Sequence, residues 1–482
     1  MNMITYFNTI LEENFNNYLK NYFNNLNYTN KSSSFSNYYN FINDLDNFSD
    51  SFIKNIIKSY FEYIDECFFN SSYRKKYCDS NGFYERKDYV TLFGEITFKR
   101  RYYFDNKTNE WFFFTDLFLG LPKRKHFDPF VCAEICNEST TNSYSKAGKI
   151  ISNKIGKRTS NNIDISRATS RNIVMAFNPD EKIINDERRI ERLFVMLDEK
   201  FVGSQFNNGN NHMIKASVIF ENTEKVYKSI GKKRNIDSKH IDRYRLVNSH
   251  VCASIDNNLL LDTVNYIYNT YNTDYIKEIV FMGDCAKWIK QFPKSHWFNF
   301  TPNTKVEFAM DGFHFSQALN NLTTKKNKDV YNALNNYVIN NDKKNFTRLC
   351  NEFLDLNIDR KDTIENKRDY ILNNWKERQL YQNNPYMKCS MESHISHIFA
   401  DLFTSRPKSY SKNGLRKLLR LRLLKVNGND IKQIYLNHLL NSNTSATSTQ
   451  KINNKIKINN IKYNKYDIEY QILLKNRNFF CN

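Results

Sequence analysis

"VFMGDCAKWIKQF", Val280 to Phe292, is an apolar run that reaches an aspartate and turns at once into an amphipathic helix. A run apolar at every position is buried on both faces, so it belongs in the centre of a sheet. Asp284 therefore stands at the carboxyl end of a central strand, the edge where α/β sheets place their ligands. Two other runs stop in the same way, "LFVMLD" at Asp198 and "VEFAMD" at Asp311. A single aspartate after a strand is ordinarily a helix cap or a turn residue. Three at one edge repel one another, and a divalent cation offsets that repulsion. Hard oxygen donors without a thiolate or histidine majority point to Mg²⁺ or Mn²⁺.

Around this stretch, residues 190–320 alternate strands and helices and predict a mixed α/β sheet. Residues 315–385 are helical and highly polar, and 392–426 hold one or two further helices. In "CSMESHISHIFADLF", steps of 100° put Ile395, Ile398, Phe399 and Leu402 on one stripe and Glu392 on its flank. A helix packed on the sheet would offer that carboxylate to the strand ends. His394 and His397 fall on the other side, with no third soft ligand to make a zinc site. Ahead of the sheet, residues 1–80 read as helices. Residues 81–136 follow with a period of two and predict a β meander with a basic, aromatic edge. Residues 137–185 split into two helical pieces that resemble a helix-turn-helix, the second opening with Arg167 and Arg171. The end of the chain, 441–482, is basic and of low complexity, which predicts loose order.

The chain has 482 residues, enough for several domains, and a net charge of +20 from 71 basic and 51 acidic side chains. That charge favours a polyanion, nucleic acid first, because neutralised phosphates release counterions. No apolar run approaches the ~20 residues of a membrane span, and the N-terminal stretch lacks a secretory pattern, so a cytoplasmic, nucleoid-associated protein is expected. The nine cysteines are scattered without a CxxC pair, and Cys132 and Cys136 read as two buried thiols on one helix face. Neither GxxxxGK[ST] nor GxGxxG occurs, which sets aside nucleotide-dependent enzymes of those types.

The strand-end Asp198, the "GDCAKWI" of Asp284, the "DGFH" of Asp311 and His314, and "ESHISH" followed by "SRP" resemble, in this order, the insertion-sequence transposases of the ISLre-two family. "TLFGEITFKRRYY", "LFLGLPKR", "SYSKAGKII" and "SRPKSYSKNGLRKLLRLR" extend the resemblance over roughly residues 85–435. The chain departs from that pattern in reading GDCA for GDGA, DGFH for DKFH and MESHISH for AEGHVSH, yet it keeps every carboxylate and His314. The resemblance implies a DDE enzyme with a ribonuclease-H-like core, related to the Mutator-like group. In such an enzyme Asp198, Asp284 and Glu392 would bind the metal ions, Asp311 and His314 would assist, and 315–385 would be a helical insertion. It also implies cleavage and joining of double-stranded DNA by a homo-oligomer. Arg100, Arg101, Lys123, Arg124, Lys125, Arg167, Arg171, Arg416, Arg420 and Arg422 are the candidate DNA contacts. A metal nuclease of the same fold and a DNA-binding protein without catalysis are the alternatives.

Overall fold

The computed structural model describes residues 35–121, 126–156, 163–179, 186–205, 211–225, 244–324, 327–383, 395–404 and 408–449, with a few positions between 8 and 20. The first helix, Phe35–Asn70, lies against a three-stranded antiparallel sheet of β1 (Cys78–Thr91), β2 (Gly94–Asp105) and β3 (Glu110–Phe113). Phe61 and Phe68 of the helix meet Phe98 and Tyr103 of β2 edge to face, both at 4.9 Å. Three helices follow, Pro129–Ser139, Tyr144–Gly156 and Arg167–Ala176, around a core of Val131, Ile135, Ile151, Ile155 and Ile165. Asp128 and Ser166 cap the first and third through the amides of Val131 and Thr169. Cys132 and Cys136 are both buried in the first, as their spacing predicts.

The large sheet is built from β4 (Arg192–Ser204), β5 (His212–Phe220), β8 (His250–Ser254), β9 (Glu278–Gly283) and β10 (Lys305–Met310). A small ribbon, β6 (Asn222–Lys225) with β7 (Tyr244–Val247), interrupts the path between β5 and β8. The spatial order is β10-β9-β4-β5-β8, and β11 (Ser409–Tyr410) pairs with the end of β4. Counted by their order in this sheet, the five main strands run 3-2-1-4-5. The first three are antiparallel neighbours, and β9 and β10 run parallel to β4. The mixed α/β sheet expected from the sequence is present. Its crossover helix, Leu259–Thr270, is tied to β5 by a 2.7 Å hydrogen bond between Ser217 and Thr263.

Strict alternation gives the sheet two dry faces. Leu193, Val195, Leu197, Ile279 and Phe281 pack against Leu259, Val264, Ile267, Ile289 and Phe298. Phe194, Met196, Val280, Met282 and Ala309 pack on the other side against Ile395, Ile398, Phe399, Leu402 and the helix Lys412–Val426. Each fully buried side chain of this size contributes about 1.5–3 kcal/mol. The helices from Gly312 to Asn383 form a third core of their own, with Phe315, Leu319, Leu334, Phe346, Ile364 and Trp375 inside.

Three expectations need correction. Asp198 does not end its strand, since β4 runs on to Ser204 because β5 pairs with it from Phe194 to Val202. The apolar run that leads to Asp311 is not a central strand, since β10 stands at one end of the spatial order beside β9. The start of the expected loose tail lies inside a helix, Ile431–Thr449.

Candidate active site

The parallel register sets Met196 beside Met282 and Gly283 beside Met310. Two residues beyond the first pair and one beyond the second, Asp198, Asp284 and Asp311 stand in one row across β4, β9 and β10. Adjacent strands are about 4.8 Å apart, so the register brings the three aspartates to one edge of the sheet. Asp198 and Asp284 each follow by two residues a methionine of the face that the Ile395–Phe403 segment covers, and so they continue that face. Glu392 lies three residues before Ile395 and, like His394, falls outside the described residues; His397 is exposed.

Gly283 is required where β9 meets the turn. A side chain there would begin 2.7 Å from Cγ2 of Ile289 and 2.9 Å from the carbonyl of Leu197. Backbone amides then fix one oxygen of every carboxylate in the row. Glu199 N–H donates to Asp198 at 2.7 Å, Ala286 N–H to Asp284 at 2.8 Å, and Phe313 N–H to Asp311 at 2.6 Å. Asp198 and Asp311 are buried. Asp311 also caps the helix Gly312–Thr323, the ordinary role of such a residue, while its second oxygen lies 3.6 Å from His314 Nδ1.

His314 gathers the field of the row. Burial alone would lower its pKa, but the carboxylate of Asp311 close by, with the charges of Asp198 and Asp284, outweighs burial and holds it above the ordinary histidine value. The three aspartates thus meet at one histidine. Cys285, one residue past Asp284, is no competing nucleophile, because burial pushes its thiol up to about 12. Trp288 and Ile289 anchor the helix Lys287–Gln291, Ile289 in the core and Trp288 by donating its indole N–H to Glu199.

The helical insertion supplies groups that no local pattern announced. The Tyr370 hydroxyl donates to the backbone carbonyl of Asp284. Lys290 pairs with Glu377 at 3.0 Å and donates to Asn374 at 2.8 Å, clamping the insertion to the turn after β9. Tyr381 fills the space above Gly312, where any side chain would begin 2.9 Å from the ring. That contact is a physical reason for the glycine in "DGFH".

Carboxylate oxygens beside a single histidine suit Mg²⁺ or Mn²⁺ better than zinc. Among the described residues no three such side chains already form a ligand set, so Asp198 and Asp284 are the described part of the proposed triad.

The candidate DNA contacts divide sharply. Arg100 and Arg101 are buried: Arg100 pairs with Asp116 at 3.1 Å, and Arg101 with Asp65 and Glu66, both at 2.8 Å. The charge of Arg101 is spent on joining the first helix to β2 and that of Arg100 on the short helix Phe114–Phe118, which corrects their reading as contacts. Arg422 is likewise committed, donating to the carbonyls of Ile398, Thr140 and His397. Arg416 pairs with Asp256 at 3.0 Å, and Arg420 is half-buried. Arg167 and Arg171 are exposed at helical i,i+4 spacing on Arg167–Ala176. Lys123, Arg124 and Lys125 lie outside the described residues.

Against known proteins, the profile of a family described as "Uncharacterised protein family (UPF0236)" matches residues 37–438. A UPF0236 protein of Caldanaerobacter subterraneus subsp. tengcongensis is 24% identical over 73% of this chain and 70% of its own length, and its printed name joins eleven locus labels. Another from the same organism, UPF0236 protein TTE0402, is 24% identical over 73% of this chain and 67% of its own length.

Proposed function

The chain belongs to the UPF0236 family, and from that premise we propose that it is a DDE transposase of a bacterial insertion sequence with a ribonuclease-H-like core. The row of Asp198, Asp284 and Asp311 across three adjacent parallel strands carries the reading. The 3-2-1-4-5 strand order supports a ribonuclease-H-like core, and the helices from Gly312 to Asn383 stand where the resemblance implies an insertion before Glu392. A relative whose single name spans eleven loci also fits a sequence that multiplies within its genome.

In this reading Asp198, Asp284 and Glu392 would hold two Mg²⁺ or Mn²⁺ ions. Such ions lower the pKa of an attacking water or DNA 3′-hydroxyl and stabilise the leaving oxygen. The chain itself provides preorganisation. Amide hydrogen bonds to Asp198 and Asp284 keep the ligand oxygens in place. His314, whose pKa the row raises, would offset part of its negative charge when protonated and give a proton to the departing 3′-oxygen. Arg167 and Arg171 would grip the phosphate backbone of double-stranded DNA, and two element ends call for a homo-oligomer.

The test is Mg²⁺- or Mn²⁺-dependent cleavage and joining of DNA that carries the element's own ends. Asp284→Asn should lower cleavage by at least about 1000-fold while leaving DNA affinity within about threefold, since one ligand is lost and the fold is kept. Cleavage without joining would make the chain a nuclease of the same fold. Binding by the wild type with no cleavage in either metal would reduce it to a DNA-binding protein.

A further inference from the structure

The helix Trp375–Asn383 of the insertion carries Arg378 to the Asp311 side of the row. Its guanidinium carbon lies 4.2 Å from the centre of the Phe315 ring, one turn beyond Asp311, and 5.2 Å from that of Tyr381. Nε and Nη1 are inaccessible to solvent and donate to nothing among the described residues. Arg101 and Arg422 differ, because their donors are met by carboxylates or carbonyls. A guanidinium stays charged in proteins, and burying one without an acceptor is costly, more than a stacked ring returns. Burial accordingly pulls the Arg378 pKa down, opposed by the charges of Tyr381, Asp311 and Tyr331. Yet no carboxylate among the described residues comes within ion-pair distance of it. Gly312 brings no side chain to this place, and Tyr381 leaves no room for one.

A half-buried cation with no carboxylate at ion-pair distance among the described residues, stacked on Phe315 beside the helix that Asp311 caps, is arranged for an anion that arrives with the substrate. We propose that Arg378 binds a nonbridging oxygen of the phosphodiester held at the Asp198, Asp284 and Asp311 edge. The assignment rests on the DNA-processing reading above and adds a residue from the insertion to that site. The planar fork suits a phosphate, and the stack on Phe315 ties its position to the helix that Asp311 caps. The insertion thereby becomes part of substrate recognition as well as a covering layer.

Arg378→Met and Arg378→Lys in the full chain test this by two readouts, one independent of catalysis. Met keeps the stacked volume and removes the charge. The Met variant should melt no lower than wild type without DNA, because no pair is broken and the buried charge is gone. With a short DNA duplex, the slope of log affinity against log salt should shrink by about 0.9, the share of one phosphate contact. Cleavage should fall about 100-fold or more. Lys should restore the salt slope and only part of the cleavage. A Met variant that melts several degrees below wild type would mark Arg378 as a packing residue and overturn the proposal. An unchanged salt slope would overturn it equally. If the wild type never cleaves but the slope still falls, the phosphate contact stands and the metal-cleavage reading fails. If Asp284→Asn abolishes cleavage while Arg378→Met keeps both cleavage and slope, the reverse holds.

Discussion

Cys285 follows Asp284 with φ at +68°, in the left-handed region that favours glycine. The turn between strand and helix imposes this, since the chain must reverse within two residues for Ala286 N–H to reach Asp284. A side chain in that conformation costs about 1 kcal/mol, and the pattern GDGA would avoid it. Cys285→Gly and Cys285→Ala both lose the sulfur, but only the first relieves the backbone. The Gly variant should therefore melt at or above the Ala variant, the reverse of their usual order, in a thermal unfolding comparison. At this scale the sequence displayed the aspartates because apolar runs mark strands and a carboxylate interrupts them plainly. It could not display Tyr370 or Arg378. Each is an ordinary residue of a polar helix until folding brings it to a strand tip some seventy to ninety positions away.

Among elements, the three-helix unit shows how one small residue sets a crossing. A Cβ on Gly148 would lie 2.3 Å from the carbonyl of Ile165 and 2.7 Å from Ser170 Oγ. The first obstacle is backbone and cannot swing aside. Gly148→Ala should thus destabilise by about 1–3 kcal/mol, despite alanine's better helix propensity, as a lower midpoint in denaturant would report. The displaced helix is the one that exposes Arg167 and Arg171, so DNA affinity should fall with it. The start of the third helix was legible from its cap, as Ser166 illustrates, whereas Pro129–Ser139 straddles the boundary expected at 136 between strands and helices. The fate of the arginines was not legible. Arg100 and Arg101 look like a basic edge in one dimension, and only the packing of Phe114–Phe118 and Phe35–Asn70 on the sheet reveals Asp116 as the partner of the first and Asp65 and Glu66 as those of the second.

For the whole molecule, His250 joins three layers. It stacks on Tyr266 of Leu259–Thr270 at 3.7 Å, lies in β8 of the sheet, and approaches Asn427 beyond Lys412–Val426 at 3.3 Å. Burial lowers its pKa from 6.5 to about 4. The unfolded chain then binds the proton more readily, so this histidine's contribution is complete above about pH 6.5 and is lost as pH falls toward 4. Acidification across that window should cost on the order of 2 kcal/mol through His250 alone. His250→Gln should flatten the matching part of the stability profile, measured as unfolding midpoints across the same pH range.

Apolar patterning by itself determined that β4 and β9 are central strands and that the helices flanking Asp284 and after Glu392 pack on them. Burial of nonpolar surface is written directly into residue order, because each strand or helix must hide its own stripe. Tertiary structure alone decided that Asp198, Asp284 and Asp311 stand at one level, that β4 continues past its aspartate, and which arginines remain free to meet a ligand. Those outcomes depend on strand register and on which charges meet across layers. Both are fixed by contacts between residues distant in sequence, and no local period encodes them.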